Sequence, residues 1–331
     1  MSKYPPNHGT MIPFPKNKIQ KPLQKSPSPP HLSVWWTYVK ERCPLGSYLL
    51  LSFGLAWAPQ VLSGLKPEIF GILWASLLML TFFIVLRLMD EVKDYHKDII
   101  AHPERPLPRG LMDLADAKKG VHWGILIMGI LSVLTFILFG LTAGLLMALT
   151  TIYLYLMYRE FFCGQTLEKF PLIYAASHQA ILFLLAATAA GCHSFFALPE
   201  NFSSFQKPPL GFFLAAIQIF PAFFAYEIGR KMDPSAPPIL RYYRTVYGLA
   251  GCRALLTGLV VLGSIGLYFG VRLGSLSDGY SYIWSIGGSL GLLIMFVATW
   301  LAGDKRYSWV STAATLNLLT AIYMPVLQYY L

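Results

Sequence analysis

"IFGILWASLLMLTFFIVLRLMDEVKDYHKDIIAHPERPLPRG" occupies residues 69–110. Residues 69–86 carry no charge, and then Asp90, Glu91, Asp94 and Asp98 crowd into nine residues. An apolar run of about 18 residues or more is long enough to cross a bilayer as a helix. Backbone polar groups have no water to bond in lipid, so such a run must satisfy them internally. The stretch therefore reads as a membrane helix whose end bears a concentrated negative charge.

Working outward, the same apolar pattern recurs along the chain. Its length of 331 residues would suggest about two ordinary soluble domains. Composition overrides that reading: 55% of residues are hydrophobic and 13% are charged. The spans expected are roughly 46–64, 68–88, 121–139, 143–159, 172–190, 210–227, 249–269, 281–301 and 309–329. The third and fourth form one nearly uncharged stretch. It is split near Gly140 to Gly144, because a single straight helix would be about twice the needed length. The fold class is thus an all-α integral membrane protein with about nine transmembrane helices.

Basic residues set the expected orientation. With the N-terminus in the cytoplasm, all but Lys66, Lys207 and Arg272 of the 26 lysines and arginines fall on the cytoplasmic side. The net charge of +10 is then a matter of membrane topology. Nucleic-acid binding would call for a soluble basic domain, and no stretch supplies one. Residues 1–31 hold eight prolines, five lysines and no acid. They are expected to be a disordered cytoplasmic tail with no signal-peptide run. Residues 32–45 begin "LSVWWTYVKER" and suit an amphipathic segment at the interface, with Trp35, Trp36 and Tyr38 beside Lys40 and Arg42. Residues 46–331 form the membrane domain. Cys43, Cys163, Cys192 and Cys252 are scattered without a CxxC pair, which argues against a disulfide framework or a zinc site.

Asp90, Asp94 and Asp98 recur every four residues, so on a helix they drift about 40° per step and form one stripe, with Glu91 at its flank. Like charges at this spacing repel, and acids near a helix C-terminus oppose the macrodipole. Something positive should compensate. Lys93 and Lys97 are spaced to pair with Asp90 and Asp94, which would make a solvated helix end. The alternative is Mg²⁺, which takes oxygen ligands and commonly bridges one or two carboxylates to phosphates. The loop that follows carries His102, Arg105 and Arg109 among Pro103, Pro106 and Pro108. Arginine suits bidentate phosphate binding, so acids and arginines together suggest a diphosphate site.

At this point the sequence resembles a known family. "DEVKDYHKD" is similar to the first aspartate-rich motif, NDxxDxxxD, of the UbiA superfamily of intramembrane prenyltransferases. Asp90 stands at the Asn position, Glu91 at the first Asp, and Asp94 and Asp98 at the other two. "ERPLPRG" resembles the RPLPxG continuation. The resemblance covers the membrane portion and implies a central lipid-accessible cavity. It also implies a second acidic motif, DxxDxxxD, ending the sixth helix. "YEIGRKMDPSAPP", residues 226–238, departs from it: Glu227 fits the first acid, Arg230 and Pro234 hold the other positions, and Asp233 lies beside the last. Arg230 and Lys231 either neutralise diphosphate directly or serve only as the basic flank of the helix. "YLYLMYREFF" resembles the family's YxxxKR stretch, with Tyr158 in the Lys place and Arg159 within reach of phosphate. His178, with Ser177 and Gln179, is an intramembrane polar group, either functional or a packed helix contact.

The resemblance implies a Mg²⁺-dependent transfer of a prenyl group from an isoprenyl diphosphate to a hydrophobic or aromatic acceptor. Metal ligands would come from Asp90, Glu91, Asp94, Asp98, Glu227 and Asp233. Arg105, Arg109, Arg159, Arg230 and Lys231 would hold the diphosphate, with Asp94, Glu227 and Lys231 central to catalysis. A UbiA-type terpene cyclase would share the ionisation without an external acceptor. A non-enzymatic lipid-binding or transport protein would instead call for midplane charges or inverted repeats, and neither is evident. The membrane is either a bacterial inner membrane or an organellar one, with the active-site loops cytoplasmic.

Overall fold

The computed structural model describes residues 32–193, 210–273 and 282–331, and the tail at 1–31 lies outside them. Among the described residues there is no strand, and nine helices are long and apolar enough to cross a membrane. They are Leu45–Leu62, Ile69–Lys93, Leu114–Phe139, Leu141–Tyr158, Pro171–Gly191, Gly211–Arg230, Tyr243–Leu273, Ile283–Leu301 and Tyr307–Tyr330. This is the all-α membrane fold expected from the apolar runs.

Each span packs on the next, and the ninth returns to the first, so the bundle closes on itself. The sixth span also packs on the ninth, and the first touches the fifth and sixth. Both faces of a membrane helix are apolar, so side-chain size and polarity separate inside from outside. In the third span Trp123, Leu126, Ile130, Val133 and Ile137 are exposed, whereas Gly124, Met128, Ser132 and Thr135 are buried. Buried hydroxyls are absorbed by helix carbonyls and by one another: Ser132 bonds the Met128 carbonyl, and the Thr150 and Thr188 hydroxyls lie 3.2 Å apart between the fourth and fifth spans.

The third and fourth spans part at Gly140, whose φ of 88° and ψ of −176° fall where only glycine is comfortable. Gly140→Ala should therefore lower stability by about 1–3 kcal/mol, read as reduced resistance to unfolding in detergent micelles. A shift no larger than that of an exposed-surface alanine would mean the corner relaxes. The seventh helix bends at Gly248, φ 66°, just before the start of the run expected at residue 249. The fifth span is two helices, Pro171–Gln179 and Ile181–Gly191, interrupted at Ala180. The Tyr153 hydroxyl donates to the Ser177 carbonyl at 2.6 Å, beside this interruption.

Residues 32–45 begin with the helix Leu32–Arg42, which leads directly into the first span at Leu45. Trp36 is exposed with Lys40 over its ring, and Tyr38 is buried. Trp35 covers Gly120 of the third span so closely that a Cβ there would collide.

Candidate functional site

Successive spans run in opposite directions, so the second and sixth, four apart, run the same way. Their charged ends must lie at one face. The short helix Tyr95–Ala101 that follows the second span packs on the turn Pro238–Leu240 that follows the sixth. Asp90 lies within electrostatic reach of Glu227, Lys231 and Arg230. The two sequence motifs therefore meet.

The acidic stripe divides into two halves with different surroundings. Glu91 and Asp98 are buried, at 2% and 1% exposure. Arg42 Nε donates to Glu91 Oε2 at 2.8 Å, and Arg87 stands 3.9 Å away. One terminal nitrogen of Arg105 reaches both Asp98 oxygens, at 2.6 and 2.7 Å. Asp90 and Asp94 differ. Among the described residues the neighbouring cations are engaged elsewhere: Lys93 pairs with Glu160 at 3.8 Å and Lys97 with Glu168 at 3.2 Å. The helix-spaced pairing of these lysines with Asp90 and Asp94 does not form. Asp94 terminates the second span, at the joint with the short helix.

In the sixth span Glu227 accepts from Arg230 at 2.9 Å and from Lys231. Partial burial works against the Lys231 charge, and the Glu227 carboxylate more than offsets it, so its pKa stands above the ordinary lysine value. The Lys231 ammonium also lies 5.9 Å from the centre of the Tyr243 ring. Tyr48 of the first span lies within electrostatic reach of Asp90 and Arg230. Asp233 turns away: it accepts from the Ser235 amide at 2.8 Å and hydroxyl at 2.6 Å, bonds that hold its pKa below the usual carboxylate range.

The remaining basic residues are dispersed. Arg109 makes two 2.7 Å bonds to Glu41 of the N-terminal helix, and this hydrogen bonding lowers the pKa of Glu41. Arg159 is exposed and stacks over Phe162. The structure thus brings together Asp90, Glu227, Arg230 and Lys231, with Asp94 four residues beyond Asp90 at the end of the same helix. It sets Glu91, Asp98, Arg105, Arg109, Arg159 and Asp233 in other pairings.

Lys93 and His178, noted in the sequence, meet Tyr174, Glu160 and Phe161, which were not. Lys93 Nζ is 3.1 Å from the Tyr174 hydroxyl, which donates to Glu160 at 3.3 Å. His178 stacks on Tyr174 with centroids 4.2 Å apart, and Phe161 meets the same imidazole edge-on at 5.5 Å. Glu160, Phe161 and Phe162 have φ of 50°, 53° and 57°. Left-handed backbone costs a non-glycine residue about 1–2 kcal/mol, so three in a row need support from their side chains. Glu160 finds it at Lys93 and Tyr174, and Phe161 at Tyr153 and His178.

Oxygen donors free of arginine are what Mg²⁺ requires, and it commonly uses one or two protein carboxylates with phosphate and water completing the shell. Asp90 and Asp94 fit that need. Among the described residues no group of three or more acids, histidines or cysteines is gathered to hold a metal by itself. Two interior voids lie elsewhere. One is apolar, too small to admit a water, and bounded by Leu78, Met79, Phe82, Met128 and Leu185, deeper along the second span than Asp90. The other, of about 10 Å³, lies among the sixth to ninth spans beside Gln218, Asn317 and Thr320.

No protein-family model matches the sequence, and no curated protein matches it. Two solved structures share the fold. An apo UbiA homolog from Aeropyrum pernix K1 superposes with a TM-score of 0.61 at 16% identity, covering 86% of this chain and 98% of that one. A digeranylgeranylglyceryl phosphate synthase superposes with a TM-score of 0.53 at 16% identity, covering 89% of this chain and 99% of that one. At such identity the likeness is one of fold, and it agrees with the UbiA resemblance of the sequence.

Proposed function

We propose that this chain, with the fold of a UbiA homolog and of a digeranylgeranylglyceryl phosphate synthase, is a Mg²⁺-dependent membrane prenyltransferase. Its substrates are an isoprenyl diphosphate and a hydrophobic, aromatic acceptor. The observation that carries this reading is the convergence of Asp90, which heads the segment ending in Asp94, with Glu227, Arg230 and Lys231 at one face. Carboxylates without arginine partners suit a metal, and clustered cations suit a diphosphate.

Asp90 and Asp94 would hold the ion, which when bound supplies charge to neutralise the leaving diphosphate. Arg230 and Lys231 bind the diphosphate from the sixth span, where an acidic motif would offer a second metal site. Glu227 keeps both cations oriented. Stabilising the negative charge that develops as the allylic C–O bond breaks is the largest contribution such groups can make. The packed helices exclude water from the allylic cation. Arg105 and Arg109 contribute only if their pairs with Asp98 and Glu41 open, and Arg159 only if it leaves Phe162. The acidic face is assigned to the cytoplasm, in a bacterial inner or an organellar membrane, on the bias of basic residues.

Purified protein given isoprenyl diphosphates of graded length, with and without aromatic acceptors, tests this reading by mass spectrometry of the products. Diphosphate release that needs Mg²⁺, with a prenylated acceptor, is expected. A cyclic hydrocarbon formed without acceptor would reassign the protein as a terpene cyclase, and no release from any donor would end both readings. Lys231→Gln should weaken donor binding about 10- to 100-fold, since a hydrogen bond to a charged group contributes about 1.5–3 kcal/mol. The measure is the KM for the donor, and an unchanged KM would remove Lys231 from the site.

A further inference from the structure

We propose that His178 is the proton acceptor that completes the reaction, a role that rests on the prenyl transfer proposed above. Its Nδ1 lies 2.8 Å from the Tyr174 carbonyl. A carbonyl only accepts, so Nδ1 carries the hydrogen and Nε2 of the neutral ring carries the lone pair. Nε2 is shielded from solvent and makes no well-aligned hydrogen bond among the described residues; the Met157 carbonyl beside the ring would steady it once protonated. A buried polar atom left unpaired in this way calls for an explanation, and a chemical task is one.

Its position suits that task. The ring lies within electrostatic reach of Lys93 of the second span and Lys231 beyond the sixth, the two elements that bring the charged face together. Tyr174 reaches Lys93, and His178 follows it by one helical turn, about 5 Å deeper into the bundle. A diphosphate held by Arg230 and Lys231 would place its allylic carbon on the membrane side of those charges, at the level of this ring. Tyr174 on one face and Phe161 on the edge fix the imidazole plane. The left-handed turn Glu160–Phe162 is what delivers Phe161 there, so its strain is matched by an ordered base.

In the step assigned to His178, the C–O bond has already broken and its electron pair has left on the diphosphate. A π pair of the aromatic acceptor forms the new C–C bond to the allylic carbon. The bonded ring carbon then carries a surplus proton. Nε2 takes that proton, and the C–H electron pair restores the aromatic ring. The imidazolium releases the proton to water as the product leaves.

The test measures diphosphate release and prenylated product in parallel, using the full chain in lipid nanodiscs with a prenyl diphosphate and a hydroxylated aromatic acceptor. His178→Ala is expected to lower prenylated product at least about 100-fold, within the range of general-base contributions. Diphosphate release should fall far less, with the cation diverted to the prenyl alcohol, and added imidazole should restore product. His178→Gln, which keeps a donor toward Tyr174, should fold normally and show the same uncoupling. Equal loss of release and product in both variants, without imidazole rescue, would make His178 a packing residue and overturn the proposal. Unchanged product would overturn it too. Absence of diphosphate release from the unsubstituted protein would overturn the prenyl-transfer reading itself, a result separable from either.

Discussion

Asp94→Ala is expected to lower Mg²⁺-dependent diphosphate release by about 100- to 1,000-fold while leaving the protein folded. The two halves of that expectation come from the same geometry. Asp94 ends the second span with no arginine or lysine among the described residues paired to it, so its removal strands no buried cation among them. The neighbouring Asp98 is the contrast, because Asp98→Ala would leave the Arg105 guanidinium without its partner. Loss of turnover in Asp94→Ala with unchanged unfolding in detergent would separate chemistry from stability. Full turnover would remove the metal assignment. Loss of both together would make Asp94 a structural residue.

The spans were legible because lipid imposes a single rule, about 20 apolar residues in a helix. Even the corner between the third and fourth spans was marked, since Gly140 is the first residue of the weak stretch that interrupts an otherwise uniform run. The bend at Gly248 falls one residue before the expected start of the seventh span, though the glycine itself was not read as a corner. The break at Ala180 had no such signal, because alanine favours helix and the interruption is tied to contacts such as Tyr153 with Ser177.

The acidic stripe was legible as a stripe, and its division was not. Helical spacing puts Lys93 and Lys97 beside Asp90 and Asp94, yet Glu160 and Glu168 from the fourth-to-fifth connection draw both lysines away. Charged side chains are long, and local spacing does not know about a partner some 70 residues distant in sequence. The same limit hid Arg42, which reads as an interface anchor and instead holds a buried glutamate. Phe161 was equally silent: nothing in "YREFFCG" announces three left-handed residues, which tertiary contacts impose.

Arg42→Met is expected to cost about 3–5 kcal/mol of stability, the usual penalty for stranding one member of a buried ion pair. The Arg42 side chain is 15% exposed and that of Glu91 is 1% exposed, so water cannot replace the 2.8 Å bond. Arg87 at 3.9 Å is a weak substitute. Changing both partners together, Arg42→Met with Glu91→Met, should recover most of the loss, since a well-packed apolar pair is often neutral relative to a buried ionic one. A double-mutant cycle on unfolding in mixed micelles measures the coupling. This cycle also tests the metal-ligand role that the family resemblance implies for Glu91. If that carboxylate tethers the N-terminal helix to the second span, Glu91→Gln will disturb stability more than the rate of diphosphate release. If it binds metal, Arg42→Met will leave stability within about 1 kcal/mol of the parent, as for a solvated pair, and Glu91→Gln will abolish turnover. The buried contact to Arg42 favours the tether, which makes the N-terminal helix a brace for the segment that carries Asp90 and Asp94.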